Sequence, residues 1–135
     1  MNTARPLSAD GPATDAPRVL VVDDEPAFRD AARQLLERRG YPVVAEAGCA
    51  AAALDAVERF APQAVLMDIR LGEDDGFEVC RRLTRTRPGL AVLLASTGEY
   101  EHADELLASS GARGFVSKTK LVETDFGQFW PRVAA

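Results

Sequence analysis

Short unbroken apolar runs, each closed by a polar residue, constrain this chain more than any other feature. Val19-Leu20-Val21-Val22 stops at Asp23-Asp24, Ala64-Val65-Leu66-Met67 runs into Asp68, and Ala91-Val92-Leu93-Leu94-Ala95 ends at Ser96. Gly114-Phe115-Val116 leads to Lys118, and Val43-Val44-Ala45 is a further run of the same kind. Such runs are too short for a buried helix and lack the alternation of a half-exposed strand. They fit strands covered on both faces, as in a parallel sheet.

Between the runs the period changes to that of a helix. Pro26 opens one, with Phe28, Ala31, Ala32, Leu35 and Leu36 on one face and Gly40 after its end. A second covers Ala50–Phe60, turns Ala50, Ala53, Leu54 and Val57 inward, and stops before Pro62. Asp75 reads as the N-cap of a third, with Glu78 as the reciprocating acid and Phe77, Cys80 and Leu83 buried before Pro88. Tyr100 to Ser110 predicts a shorter fourth, with Ala103, Leu106 and Leu107 inward and Gly111 closing it. Val122, Phe126, Phe129 and Val133 keep helical spacing for a last one, which Gly127 and Pro131 weaken. Strands alternating with helices through short loops indicate an α/β fold, a doubly wound five-stranded parallel sheet. Residues 1–17 show no periodicity and read as a flexible tail, which leaves 18–135 as one domain.

Composition excludes several classes. The net charge of −5 comes without a basic stripe, which argues against direct nucleic-acid binding. No apolar run approaches the roughly 18 residues of a membrane span, and no secretory signal opens the chain, so a cytoplasmic protein is expected. Cys49 and Cys80 have no metal-ligand spacing, and Cys80 falls on the apolar side of its helix as a buried spectator.

The polar residues that close the runs carry the functional signal. In an open parallel sheet the C-terminal strand ends share one edge, and ligands bind there where the strand order reverses. With the order 2-1-3-4-5, the first and third strands are neighbours, and Asp23, Asp24 and Asp68 converge. Two unit charges about 5 Å apart repel by roughly 3 kcal/mol at an effective dielectric of about 20. A hard divalent cation would cancel that repulsion, and all-oxygen ligation suits Mg2+. Lys118 and the Ser96 hydroxyl would face the same point, a setting for an anion with several oxygens. Taken singly, each residue also has a plain reading: a turn aspartate, a solvated loop start, a surface lysine. Asp74 and Asp75 read as turn and cap residues, and His102 is assigned nothing.

On these residues the sequence resembles the receiver domain of bacterial two-component response regulators, from about Arg18 to Val133. The motifs are VLVVDDEP (Val19 to Pro26), VLMDIRLGEDDGFE (Val65 to Glu78), VLLAST (Val92 to Thr97) and GFVSK (Gly114 to Lys118). The resemblance implies a flavodoxin-like receiver fold of order 2-1-3-4-5, with Asp68 phosphorylated by a sensor histidine kinase or phosphotransfer protein in the presence of Mg2+. It implies Asp24 as a direct metal ligand, Asp23 as one acting through water, and the main-chain carbonyl of Arg70 as a third contributor beside Asp68. Ser96 matches the switch hydroxyl, Phe115 the switch aromatic, and Lys118 the lysine that pairs with phosphoryl oxygens. Until Asp68 is modified, Lys118 is expected to pair loosely with a carboxylate, worth about 1 kcal/mol if exposed.

Two positions depart from the family pattern. Gly72 stands where a proline is common, and Thr119 replaces the proline that usually follows the lysine. A cis bond before a non-proline costs about 2.5–4 kcal/mol, so the Lys118-Thr119 peptide is expected to be trans. The sequence reads as a stand-alone receiver, a phospho-acceptor rather than a turnover enzyme, whose output is contact with another protein. Two other readings stay open. One is an interaction module independent of phosphorylation. The other is a Mg2+-dependent phosphatase, although Arg70 stands where that chemistry wants a second acid.

Overall fold

The computed structural model describes residues 16–98 and 103–130. Five strands form its main sheet: β1 (Val19–Val22), β2 (Val43–Ala47), β3 (Ala64–Asp68), β4 (Ala91–Ser96) and β5 (Gly114–Ser117). All pairs are parallel and the order is β2-β1-β3-β4-β5, the doubly wound arrangement expected. Every residue of β1, β3 and β4 is buried, as unbroken apolar runs require when both faces are covered. β2 lies at an edge and is only half-buried, so Glu46 is tolerated there.

The covering elements are α1 (Pro26–Arg38), α2 (Ala50–Phe60), α3 (Gly76–Thr86) and α4 (Ala103–Ser110). Alternate strand residues feed two cores. Leu20, Val22, Val65 and Met67 join α2 and α3 on one face. Val19, Val21 and Leu66 join Ala32, Leu35 and Leu36 of α1 on the other. Ala31, expected on the inner face of α1, is exposed. The Asp75 carboxylate caps α3 by accepting from the Phe77 N–H at 2.9 Å, whereas Glu78 pairs with Arg81 instead of reaching back.

A final helix does not form in the described residues. Lys118–Glu123 and Phe126–Gln128 are two 3-10 turns. The chain is extended at Thr124, and each turn has its own cap: Ser117 Oγ accepts from Thr119 N–H at 3.3 Å and Asp125 Oδ1 from Gly127 N–H at 3.1 Å. The inward set is Leu121, Phe126 and Trp130, and Val122 is 71% exposed. Arg39 fastens the segment by donating to the carbonyls of Val122 and Thr124. The expectations for the first fifteen residues, the helix start at Tyr100, His102 and Val133 lie outside the described residues.

One element was not anticipated. After β3 the chain makes a small antiparallel hairpin, Arg70–Leu71 with Asp74–Asp75. Its turn residue Gly72 has φ +63°, a left-handed conformation that glycine adopts freely and proline cannot. The missing proline at this position therefore follows from the backbone.

Candidate functional site

Strand order and register bring the predicted residues to one edge. β1 ends at Val22 beside Met67, so Asp23 and Asp24 emerge next to Asp68. Asp68 is in register with Ala95, which places Ser96 at the end of the neighbouring strand on the other side. Asp23, Asp24 and Asp68 offer carboxylate oxygens that all lie within 4.8 Å of one another.

Each carboxylate is held differently. Asp23 is fully buried, at 0% exposure, and its Oδ1 accepts from the Glu25 N–H at 2.9 Å. Its Oδ2 lies 2.5 Å from Lys118 Nζ. That contact is an ion pair without a directed hydrogen bond, so this buried oxygen keeps free acceptor capacity. Asp68 is 9% exposed; Oδ1 accepts from the Arg70 N–H at 3.0 Å and Oδ2 from Lys118 Nζ at 2.9 Å. Asp24 is exposed, and its Oδ2 accepts from the Gly72 N–H at 3.1 Å.

Lys118 departs from the loose, exposed pairing expected of it. Its side chain is 7% exposed, it bridges Asp23 and Asp68, and its Nζ lies 4.3 Å from the centroid of the Phe28 ring. Burial works to lower the lysine's pKa, but its close contacts with the Asp23 and Asp68 carboxylates outweigh it and the value stands above the ordinary one. For Asp23, burial is the largest influence and raises the carboxyl pKa against the opposing effect of Lys118. The peptide after Lys118 is trans.

Of the remaining predicted residues, Ser96 is buried and its Oγ accepts from the Gly98 N–H at 3.3 Å. Phe115 is half-buried and stacks on Phe77 of α3, with ring centroids 6.4 Å apart. Arg70 opens the hairpin directly after the acid pocket, with its side chain exposed. Burial pushes the Cys80 thiol up to about 11, which suits a spectator.

Three supporting residues escaped the sequence reading. Gly76 packs against the main chain at the end of β3: a Cβ there would sit 2.6 Å from Ile69 Cα and nearer still to the Asp68 carbonyl. Its position just after a cap residue was the only available signal. Arg29 donates to the Asp23 carbonyl at 2.6 Å, and Phe28, which had read only as a helix-face residue, flanks Lys118. As a donor set the pocket fits a hard cation. It is all oxygen, its three carboxylates converge, and Asp23 Oδ2 is buried with acceptor capacity unused.

Comparison with known proteins agrees with this geometry. The response regulator receiver domain family matches residues 19–124. Response regulator GacA of Pseudomonas aeruginosa is 32% identical over 102 residues, covering 75% of this chain and 48% of GacA. Response regulator MprA of Mycobacterium sp. (strain KMS) is 34% identical over 107 residues, covering 78% of this chain and 46% of MprA. This chain thus spans about half the length of either curated relative. The crystal structure of a LuxR-family two-component response regulator from Aurantimonas sp. superposes with a TM-score of 0.73 at 31% identity, over 80% of this chain and 81% of that one. With a family match across most of its length and the acidic edge in place, the chain belongs to the receiver domains of two-component response regulators.

Proposed function

We propose that Asp68 is the phospho-acceptor of a signalling receiver, loaded by a sensor histidine kinase or phosphotransfer protein with Mg2+ as cofactor. One observation carries the reading: three carboxylates converge within 4.8 Å, and one of them, Asp68, also accepts a hydrogen bond from a buried lysine at 2.9 Å. Asp23, Asp24, Asp68 and the Arg70 carbonyl would hold the cation. When bound, it supplies charge neutralisation for the oxygens of the group being transferred.

The chain's own residues account for the rest. An Asp68 oxygen attacks phosphorus, the phosphorus–nitrogen bond of the donor phosphohistidine breaks, and the imidazole leaves with the electron pair. The product on Asp68 is an acyl phosphate. Lys118 Nζ, already on Asp68, stays with the added oxygens, and the Arg70 N–H keeps the carboxylate oriented. Ser96 supplies a hydroxyl from the adjacent strand end. Movement of Ser96 toward the phosphoryl group, coupled to repacking of Phe115 on Phe77, would reshape the face bearing α4 and β5 for an output protein. The reading entails no turnover of external substrates, no direct nucleic-acid contact and no membrane insertion. No described helix is long and apolar enough to cross a membrane, and a cytoplasmic site of action is proposed. Incubation with acetyl phosphate and Mg2+ should add one phosphoryl group by intact mass, and Asp68→Asn should take up none. Equal labelling of the mutant would place the acceptor elsewhere.

A further inference from the structure

The geometry points to Gly72 as a positioning residue for Asp24, through its main-chain N–H, an inference that rests on the metal reading above. Asp24 is the one exposed member of the carboxylate cluster, so burial does not select its rotamer. What holds it is the Gly72 N–H, which donates to Asp24 Oδ2 at 3.1 Å across 48 residues of sequence. The donor sits on a bracket and not on a loose loop. Arg70 and Leu71 pair with Asp75 and Asp74. The Asp74 carboxylate accepts from the Ala50 N–H at the start of α2 at 3.3 Å, and the Asp75 carboxylate caps α3.

The bond depends on the residue type twice over. At φ +63° proline is sterically excluded, and proline carries no N–H to donate. The same hairpin carries Arg70, whose carbonyl is the proposed main-chain ligand, so one small element sets two contributors to the pocket. Fixed donors behind a metal ligand typically matter roughly 10–100-fold in affinity.

Two measurements test this. In metal-free protein, the amide resonance of Gly72 should shift and its hydrogen exchange accelerate when Asp24 is changed to Ala; an unmoved Gly72 amide overturns the proposal. In calorimetric titration with MgCl2, Gly72→Pro should bind about tenfold more weakly than the parent. Gly72→Asn keeps the N–H and tolerates the left-handed conformation, so it should stay within about threefold. Parent-like affinity in a folded Gly72→Pro protein overturns the role of Gly72 alone. Absence of magnesium binding by the parent overturns the metal reading and this inference together. Should Gly72→Pro fail to fold, the amide measurement decides.

Discussion

Lys118→Met removes an ammonium while leaving an apolar stem of similar length beside Phe28. The loss is larger than a surface ion pair would give. Lys118 Nζ is 2.5 Å from a fully buried Asp23 and 2.9 Å from Asp68, and removing one partner of a buried pair costs about 3–5 kcal/mol. Asp68 keeps 11% side-chain exposure and a second donor, so the lower end, about 3 kcal/mol, is expected at pH 7 without magnesium. Urea unfolding followed by Trp130, the single and buried tryptophan, reads this directly. With a slope of about 1–3 kcal/mol per molar urea, the midpoint should fall by about 1–3 M.

The pH dependence separates electrostatics from lost packing. Asp23 has a raised folded pKa, so its contribution is fully present below the ordinary carboxyl value of 3.8 and is lost as pH rises through the folded value. Lys118 offsets that loss in the parent. Its own pKa is also raised, so its contribution is complete below 10.5 and disappears as pH climbs through a folded value above that. The deficit of Lys118→Met should therefore form a plateau across the neutral range and narrow at both the acid and alkaline ends. Saturating magnesium should narrow it too, since loss of the ammonium leaves the acid cluster more negative and the variant then binds the cation more tightly than the parent does. A deficit under about 0.5 kcal/mol at pH 7, within ordinary surface-substitution effects, or one unchanged between pH 4 and 8, would refute the buried-pair account.

Two further outcomes follow from the same geometry. Asp24→Ala should weaken magnesium binding by more than the roughly 10–100-fold typical of losing a group behind a ligand, and by more than Asp23→Ala does; calorimetry showing parent-like affinity for Asp24→Ala would remove it from the ligands. Gly76→Ala should cost about 1–3 kcal/mol in urea, because its methyl meets Ile69 Cα at 2.6 Å, and should slow acetyl-phosphate labelling by displacing the Asp68 main chain. A parent-like midpoint with a parent-like labelling rate would show that the strand yields there at no cost.

What the sequence made legible is what short-range chemistry dictates. β1, β3 and β4 announce themselves because burial on both faces leaves no polar residue in them before the terminal Asp68 and Ser96, and α2 is bounded as expected by its helical period and Pro62. The acid edge was readable for the same reason: a polar residue ending a buried run has one edge of the sheet to go to. The final helix misled because Val122 and Phe126 keep a helical spacing across Thr124, where the chain is extended and Asp125 starts a new turn by accepting from the Gly127 N–H. The hairpin of Arg70–Asp75 has two residues per strand, too few to show any period. Gly72, Gly76, Phe28 and Arg29 act through main-chain or ring contacts across the fold, and such contacts leave no spacing to read.

If Asp68 is phosphorylated beside a bound cation as proposed, the charge balance of the pocket bears on how the two would be coupled. Three carboxylates face one buried ammonium, which leaves two negative charges in excess, the amount a single divalent cation cancels. On the proposed reading, modification replaces the single charge of Asp68 by about −1.5 to −2, so the new surplus falls at the Asp68 end. Lys118 is shared between Asp23 and Asp68, and any shift toward the phosphoryl oxygens is a shift away from Asp23. Asp68 can turn part of its charge to water, and Asp24 is exposed already; Asp23 has neither recourse, since it is fully buried and its Oδ2 has no directed hydrogen bond. Modification thus leaves Asp23 more dependent on the cation than before. On that reading, coupling between metal and phosphoryl group would run through the buried acid that neither reacts nor meets solvent.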